Sequence, residues 1–178
     1  RQASPVNTGN LVWAGSQVTG DVPSVLGTPR LTINSPAGIA GNYTVGTADF
    51  GRSISSPGIT GNLVRTQPLD ACSAVSNAGL ISGNIAFIDR GTCNFIDKVK
   101  NAQDAGAIGV IIGNVSTSNN PTVAPGMGAA GGPVLITIPT ESLNFSDAQA
   151  LRGQLGGSVN ASIHLDHSVL LGSDSSGH

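Results

Sequence analysis

The apolar positions of this chain change period partway along it. Leu31-Thr32-Ile33 alternates as a strand does and is stopped by Asn34-Ser35-Pro36. Tyr43-Thr44-Val45 and Asn62-Leu63-Val64 read as further short strands between Gly-rich turns. From Ile85 the alternation gives way to continuous apolar runs, Ile85–Ile88 and Ile108–Ile112. Such runs mark strands covered on both faces. Between them Phe95, Val99 and Ala102 fall at i, i+4 and i+7, a helical stripe with Lys98, Asn101 and Asp104 expected to face away. Asn94 is placed to cap this helix, Asp97 completes an approximate capping box, and Gly106 ends it as a C′ glycine. Strand, helix, strand makes a βαβ unit with parallel strands and a right-handed crossover.

After this unit comes Asn114–Pro133, twenty residues without a period and rich in Gly, Pro, Ser and Asn. A loop of that length in a compact domain is usually functional or mobile. Val134–Ile138 then reads as a strand stopped by Pro139. Ser146 is expected to cap a short helix carrying Ala148, Leu151 and Leu155. Val159, Ala161, Ile163 and Leu165 alternate strictly as a half-exposed strand, and Val169–Leu171 is a candidate for another. Residues 1–29, with Trp13, read as an N-terminal extension with one short strand near Leu11–Ala14. The pattern as a whole is a mixed α/β domain of several strands and two helices, without an internal repeat.

Composition narrows the function. Lys and Arg number 8 against 10 Asp and Glu, a net charge of −2 with no basic patch, so nucleic acid is not an expected partner. Only 10% of residues are charged, against about 25% in an average domain; the surface must be built from Ser, Thr, Asn, Gln and Gly, which suits a secreted protein. No apolar run approaches a membrane span, so no membrane is expected. The opening RQASPV reads as a mature or trimmed start and the ending GSDSSGH as a cut linker or tail, residues 171–178.

Two cysteines, Cys72 and Cys93, stand 21 residues apart. Their even number permits a disulfide, which would stabilise the fold by roughly 3 kcal/mol. Cys93 also lies at a strand-to-helix turn, where a helix N-terminus lowers a thiol pKa, so a catalytic thiolate or a free thiol are the alternatives. A nucleophile needs a base; the histidines, His164, His167 and His178, all lie in the last fifteen residues. His164-Leu165-Asp166-His167 offers two side chains on one strand face, short of the three or four a zinc site takes. No H-E-x-x-H or G-x-S-x-G motif is present. No catalytic, metal or cofactor site is therefore assigned. Sequons at Asn42, Asn114, Asn144 and Asn160 are expected by chance in a chain so rich in Asn, Ser and Thr.

The segment Gly83-Asn84-Ile85-Ala86-Phe87-Ile88-Asp89-Arg90-Gly91-Thr92-Cys93-Asn94-Phe95, with Lys98-Val99-Lys100-Asn101-Ala102-Gln103 and Ala105-Gly106-Ala107-Ile108-Gly109-Val110-Ile111, closely resembles the protease-associated (PA) domain. Ile138-Pro139, Ser146-Asp147 and Leu151 look like that family's downstream strand and helix, with Ala148 where glycine is frequent. Leu31–Val64 is similar to the lead-in of secreted bacterial members. The resemblance covers about residues 30–170, expected to be the PA domain proper.

It implies an open β-barrel or sandwich of about seven strands flanked by two or more helices. It also implies a Cys72–Cys93 bridge. The turn Asp89-Arg90-Gly91 offers an anion cradle at a helix N-terminus, but without a G-x-G-x-x-G or P-loop pattern Asp89 and Arg90 read as groups that hydrogen-bond the barrel mouth and orient the turn. PA domains of secreted subtilisin-like proteases, zinc aminopeptidases and sorting receptors bind peptides or proteins or gate a neighbouring active site, without catalysis of their own. The expected partner is thus a peptide or protein substrate, or an adjacent catalytic domain, and the isolated domain is expected to be a monomer. Asn114–Pro133 leaves the C-terminal end of a parallel strand, where α/β folds bind ligands, and reads as a candidate lid beside backbone edges that can accept an extended peptide. Arg90, Asn114, Asn119 and Met127 are the candidate ligand contacts. The competing readings are an architectural spacer with no ligand and a glycan-binding module, the latter poorly served by 3% aromatic residues, Trp13 and Tyr43 among them.

Overall fold

A computed structural model describes residues 27–55, 57–130 and 134–167; the strands expected at Leu11–Ala14 and Val169–Leu171 lie outside the described residues. Contacts divide the chain into a body, Pro29–His164, and a second unit to which residues 27–28 and 165–167 belong. In that second unit the backbone of Gly27 runs close against Leu165 and His167.

The described residues form eight strands where about seven were expected: β1 (Thr28–Ser35), β2 (Gly41–Thr44), β3 (Gly46–Thr47), β4 (Ile59–Arg65), β5 (Ile85–Asp89), β6 (Gly109–Gly113), β7 (Thr140–Leu143) and β8 (Asn160–Asp166). Three helices accompany them: α1 (Ala78–Ile81), α2 (Phe95–Asp104) and α3 (Phe145–Arg152). All strands join one sheet in the order β2-β1-β8-β4-β5-β6-β7-β3. Its two outermost strands, β2 and β3, are separated in the chain by Val45 alone. That short link holds the sheet's edges together and curls it into a nearly closed barrel.

The expected parallel pairing around α2 is present, with Ile85 opposite Gly109 and Asp89 opposite Gly113. β5 shows why its run is continuous. Ile85 and Phe87 point into a core with Leu31, Ile33, Leu63, Leu143, Ala161 and Ile163 from the surrounding strands. Ala86 and Ile88 point the other way, onto Ile96, Val99 and Ala102 of α2. Gly106, with φ +87°, takes the left-handed conformation that ends α2.

Four local expectations are corrected. Lys98 does not face solvent: it is fully buried. It lies three residues after Phe95 and four before Ala102, on the inward stripe. Val134–Ile138 is not a strand. Its alternate residues Val134, Ile136 and Ile138 pack on the α2-side core, but its backbone is held by a side chain, with Gln103 donating to Leu135 O (3.1 Å) and accepting from Thr137 N (2.7 Å). The strand is the polar segment Thr140–Leu143, buried throughout between β6 and β3.

Asn144, not Ser146, caps α3: its Oδ1 accepts from Asp147 N at 2.9 Å and its Nδ2 donates to Asp147 Oδ2 at 2.7 Å, and Leu155 packs beyond the helix end. Asn94 stands at the N-cap position of α2 without capping; its Nδ2 donates to Asp97 Oδ2 at 3.2 Å.

Candidate functional site

β5 ends in Asp89, and the turn Arg90-Gly91-Thr92 carries the chain to α2. Cys72 and Cys93 are joined by a disulfide, 5.7 Å between Cα atoms, which pins this turn to the Asp70–Cys72 segment. Beneath it Lys98 Nζ donates to Asp70 O (2.7 Å) and approaches Cys72 Sγ (3.2 Å). Burial lowers the Lys98 pKa, while the Asp70 and Asp89 carboxylates oppose that shift. A Cβ on Gly91 would sit 3.0 Å from Asp70 Cβ and 3.2 Å from Lys98 Nζ, a tight fit that asks these neighbours to give by a few tenths of an ångström.

Asp89 is clamped between two cations, accepting from Arg65 Nη2 (2.6 Å) and Arg152 Nε (2.8 Å). Arg152 also donates through Nη2 to Asn114 O (2.7 Å) and Gly113 O (3.2 Å), and its guanidinium lies over Phe87 and Phe145. Arg90 is bound by its backbone N–H to Gly113 O (2.9 Å); its Nη1 donates to Asn114 Oδ1 (3.3 Å), and its guanidinium stands over the Phe95 ring, 5.6 Å from the centroid.

The long loop is tied at several points. Asn114 is fully buried, and its Nδ2 donates to Asn120 O (2.9 Å) and Val123 O (3.0 Å) while its Oδ1 accepts from Val115 N. Met127, 1% exposed, fixes the far end: its N–H donates to Thr47 O and its carbonyl accepts from Asp49 N. In this conformation neither side chain reaches solvent. Asn119 is exposed on the loop and is not among the residues that line the cleft described next. The structure thus joins Arg90 to Asn114 by a direct hydrogen bond, while Asn119 and Met127 are not among the residues that line the cleft with Arg90. Replacing Asn114 by Ala is expected to cost about 2 kcal/mol, because two loop carbonyls and Val115 N lose their partner; urea unfolding measures it, and amide exchange across residues 115–130 should accelerate.

Between the turn and the loop lies an open cleft of about 340 Å³, lined by Arg90, Gly91, Cys93, Asn94, Phe95, Gly128 and Ala130. Four of these are turn and cap residues before α2. Asn94 gives the first-turn N–H groups of α2 no side-chain cap, and the Asp97 carboxylate in that turn, held by Asn94 Nδ2, offsets part of the positive helix end. Arg90 adds a full positive charge. Phe95 supplies an aromatic face, and the glycines Gly91 and Gly128 expose backbone. The cleft can therefore take a short stretch of chain bearing a carboxylate or an apolar side chain. Sequence reasoning reached Arg90 but missed Phe95, Gly128 and Ala130; the spacing of Arg90 to Phe95 across one turn was the available signal, whereas the loop residues arrive only through the anchoring of Met127 near Thr47.

Elsewhere, His164 Nε2 lies 2.7 Å from Thr32 Oγ1 on the neighbouring strand. Among the described residues no three His, Cys, Asp or Glu side chains gather as metal ligands, and no helix is long and apolar enough to cross a membrane.

Comparison with known proteins agrees with this architecture. The chain is 38% identical over 84 residues to an ER degradation-enhancing alpha-mannosidase-like protein 3 of Xenopus laevis, a match covering 46% of this chain and 9% of that protein. It is 49% identical over 49 residues to an aminopeptidase of Pseudomonas aeruginosa, covering 28% of this chain and 9% of that one. Among solved structures it is similar to a zinc aminopeptidase from Bacillus subtilis, with TM-score 0.53 and 26% identity over 78% of this chain and 31% of that one. An aminopeptidase from an Aneurinibacillus strain shares the fold at TM-score 0.59, covering 78% of this chain and 30% of that one. The chain thus spans about a tenth of the length of these curated relatives and under a third of these enzymes. The PA domain profile matches residues 59–151, just over half of the chain, from β4 through the body of α3. The chain belongs to the PA domain family.

Proposed function

We propose that this chain is a non-catalytic protein- or peptide-interaction module of a secreted protein. Residues 30–170 form the module, and it aids substrate recognition or controls access for a linked or partner peptidase. The observation that carries this reading is the cleft over the Cys72–Cys93 bridge, where Arg90, Phe95 and the start of α2 face open space. The cysteine at that cleft is held in a disulfide, which supports binding over nucleophilic chemistry there. The matches to aminopeptidases, in which this chain corresponds to a fraction of the length, support a peptidase as the neighbour.

The chemistry favours a ligand with a carboxylate near an apolar residue: the carboxylate meets Arg90 and the α2 N-terminus, the apolar group meets Phe95. An acidic peptide panel titrated into the 178-residue chain tests this. Arg90→Glu is expected to weaken the acidic members by about tenfold while leaving neutral peptides little changed. Equal affinity for the two proteins would remove the cleft from the reading, and no binding by either would favour the architectural spacer.

A further inference from the structure

The two sulfurs of the Cys72–Cys93 bridge stand in different surroundings. Cys93 lines the open cleft and lies one residue before the N-cap of α2. Cys72 is absent from that lining and has the buried Lys98 ammonium 3.2 Å from its Sγ. A thiolate is stabilised by a helix N-terminus or by an adjacent cation. Here each sulfur has one of these, and Arg90 adds a second cation at the cleft. Stabilising the reduced form makes a disulfide more oxidising, and a leaving thiol of lower pKa leaves faster.

We propose that this bridge is a thiol–disulfide exchange site, attacked at Cys93 from the cleft, with Cys72 as the leaving group and Lys98 as the group that receives its charge. Dithiols are the co-reactant class. One thiolate of the dithiol attacks Cys93 Sγ; a reductant–Cys93 bond forms, the Cys72–Cys93 bond breaks, and its electron pair goes to Cys72 Sγ. Lys98 pairs with that thiolate and holds it ionised. The second thiol of the reductant then attacks its own mixed-disulfide sulfur. Cys93 departs as a thiolate at the start of α2, the dithiol is oxidised to its disulfide, and the protein has gained two electrons. Reduction then removes the covalent tie between the Asp70–Cys72 segment and the turn, and leaves the hydrogen bonds from Lys98 to Asp70 O, Asn101 to Ala71 O and Asp89 N to Leu69 O in place.

The test follows reduction of the folded 178-residue chain by dithiothreitol at pH 7, with mass spectrometry of acid-quenched, alkylated samples. Lys98→Met, close in length and without charge, is expected to reduce about tenfold more slowly than the unaltered chain. Equal rates would overturn the proposal. A second measurement needs no variant: a limiting monothiol, glutathione, is used to trap the first intermediate. The adduct is expected on Cys93, with Cys72 free and alkylated by iodoacetamide at pH 6, where an ordinary thiol near 8.5 is largely inert. An adduct mainly on Cys72, or reduction no faster than global unfolding, would overturn it equally.

Discussion

As pH rises from below 4.5 to above 8, this chain is expected to lose about 5 kcal/mol of folding stability through one side chain, Glu141. Glu141 lies in the middle of β7, fully buried, with Ile111 of β6 opposite on one side and Thr47 of β3 on the other. Neither carboxyl oxygen has a hydrogen-bond partner. Burial pushes its pKa up from 4.5 to about 8, because a charged carboxylate there has lost its water without gaining a counter-charge. In the unfolded chain the group ionises at its ordinary value. Below 4.5 it is neutral in both states and costs nothing by ionisation. Between 4.5 and about 8 unfolding releases a proton, so stability falls as pH rises, by about 1.4 kcal/mol per pH unit at most. Above about 8 both states are ionised and the loss levels off near 5 kcal/mol. Glu141→Gln keeps the shape and cannot ionise. Urea unfolding of the two proteins at pH 5 and pH 8 should show the difference between them growing with pH in favour of the glutamine variant. Parallel curves would mean that Glu141 is solvated or paired in the folded protein.

The second large effect is expected at Arg152. Arg152→Ala should cost about 3 kcal/mol, because it removes one of the two cations on the Asp89 carboxylate and the side-chain donor to Asn114 O, while Gly113 O keeps the Arg90 N–H. The Arg152 and Asp89 side chains are 10% and 16% exposed, so water cannot take the place of the lost partner. Arg65 binds the other oxygen of the same carboxylate, but its side chain is 32% exposed and it serves no further carbonyl acceptor there. Arg65→Ala is therefore expected to cost only about 1 kcal/mol. Arg152→Lys should recover little, since an ammonium cannot reach Asp89, Gly113 and Asn114 as a planar fork does. Urea midpoints of the three variants decide it. Similar losses for Arg152→Ala and Arg65→Ala would show that Asp89 is not the hub that joins β4, β5 and α3.

The parts of the fold legible in the sequence are those where burial and hydrophobicity coincide. β5 and β6 stood out because both faces are covered, so no polar residue interrupts them. The end of α2 was legible because Gly106 must take a positive φ. β7 was hidden because Thr140, Glu141 and Ser142 are polar and yet buried, while the apolar Val134–Ile138 beside it holds to α2 through Gln103. Lys98 misled for the same reason: its charge reads as surface, but its position on α2 is inward and its ammonium finds Asp70 O and Cys72 Sγ.

The site was half legible. Arg90 and Cys93 stand in one contiguous motif, whereas Gly128 and Ala130 complete the cleft from a loop whose course is set by Asn114 and Met127, contacts that no local pattern encodes.

On the function proposed above, the cleft between the Arg90 turn and the Gly128 loop is a recognition surface. An NMR titration of the chain with a mixed peptide digest tests it most directly. Shifts concentrated on Arg90–Phe95 and on Gly128–Ala130, with β1 and β2 undisturbed, are the predicted result. A spectrum unchanged at millimolar peptide, or shifts gathered on another face of the barrel, would contradict it.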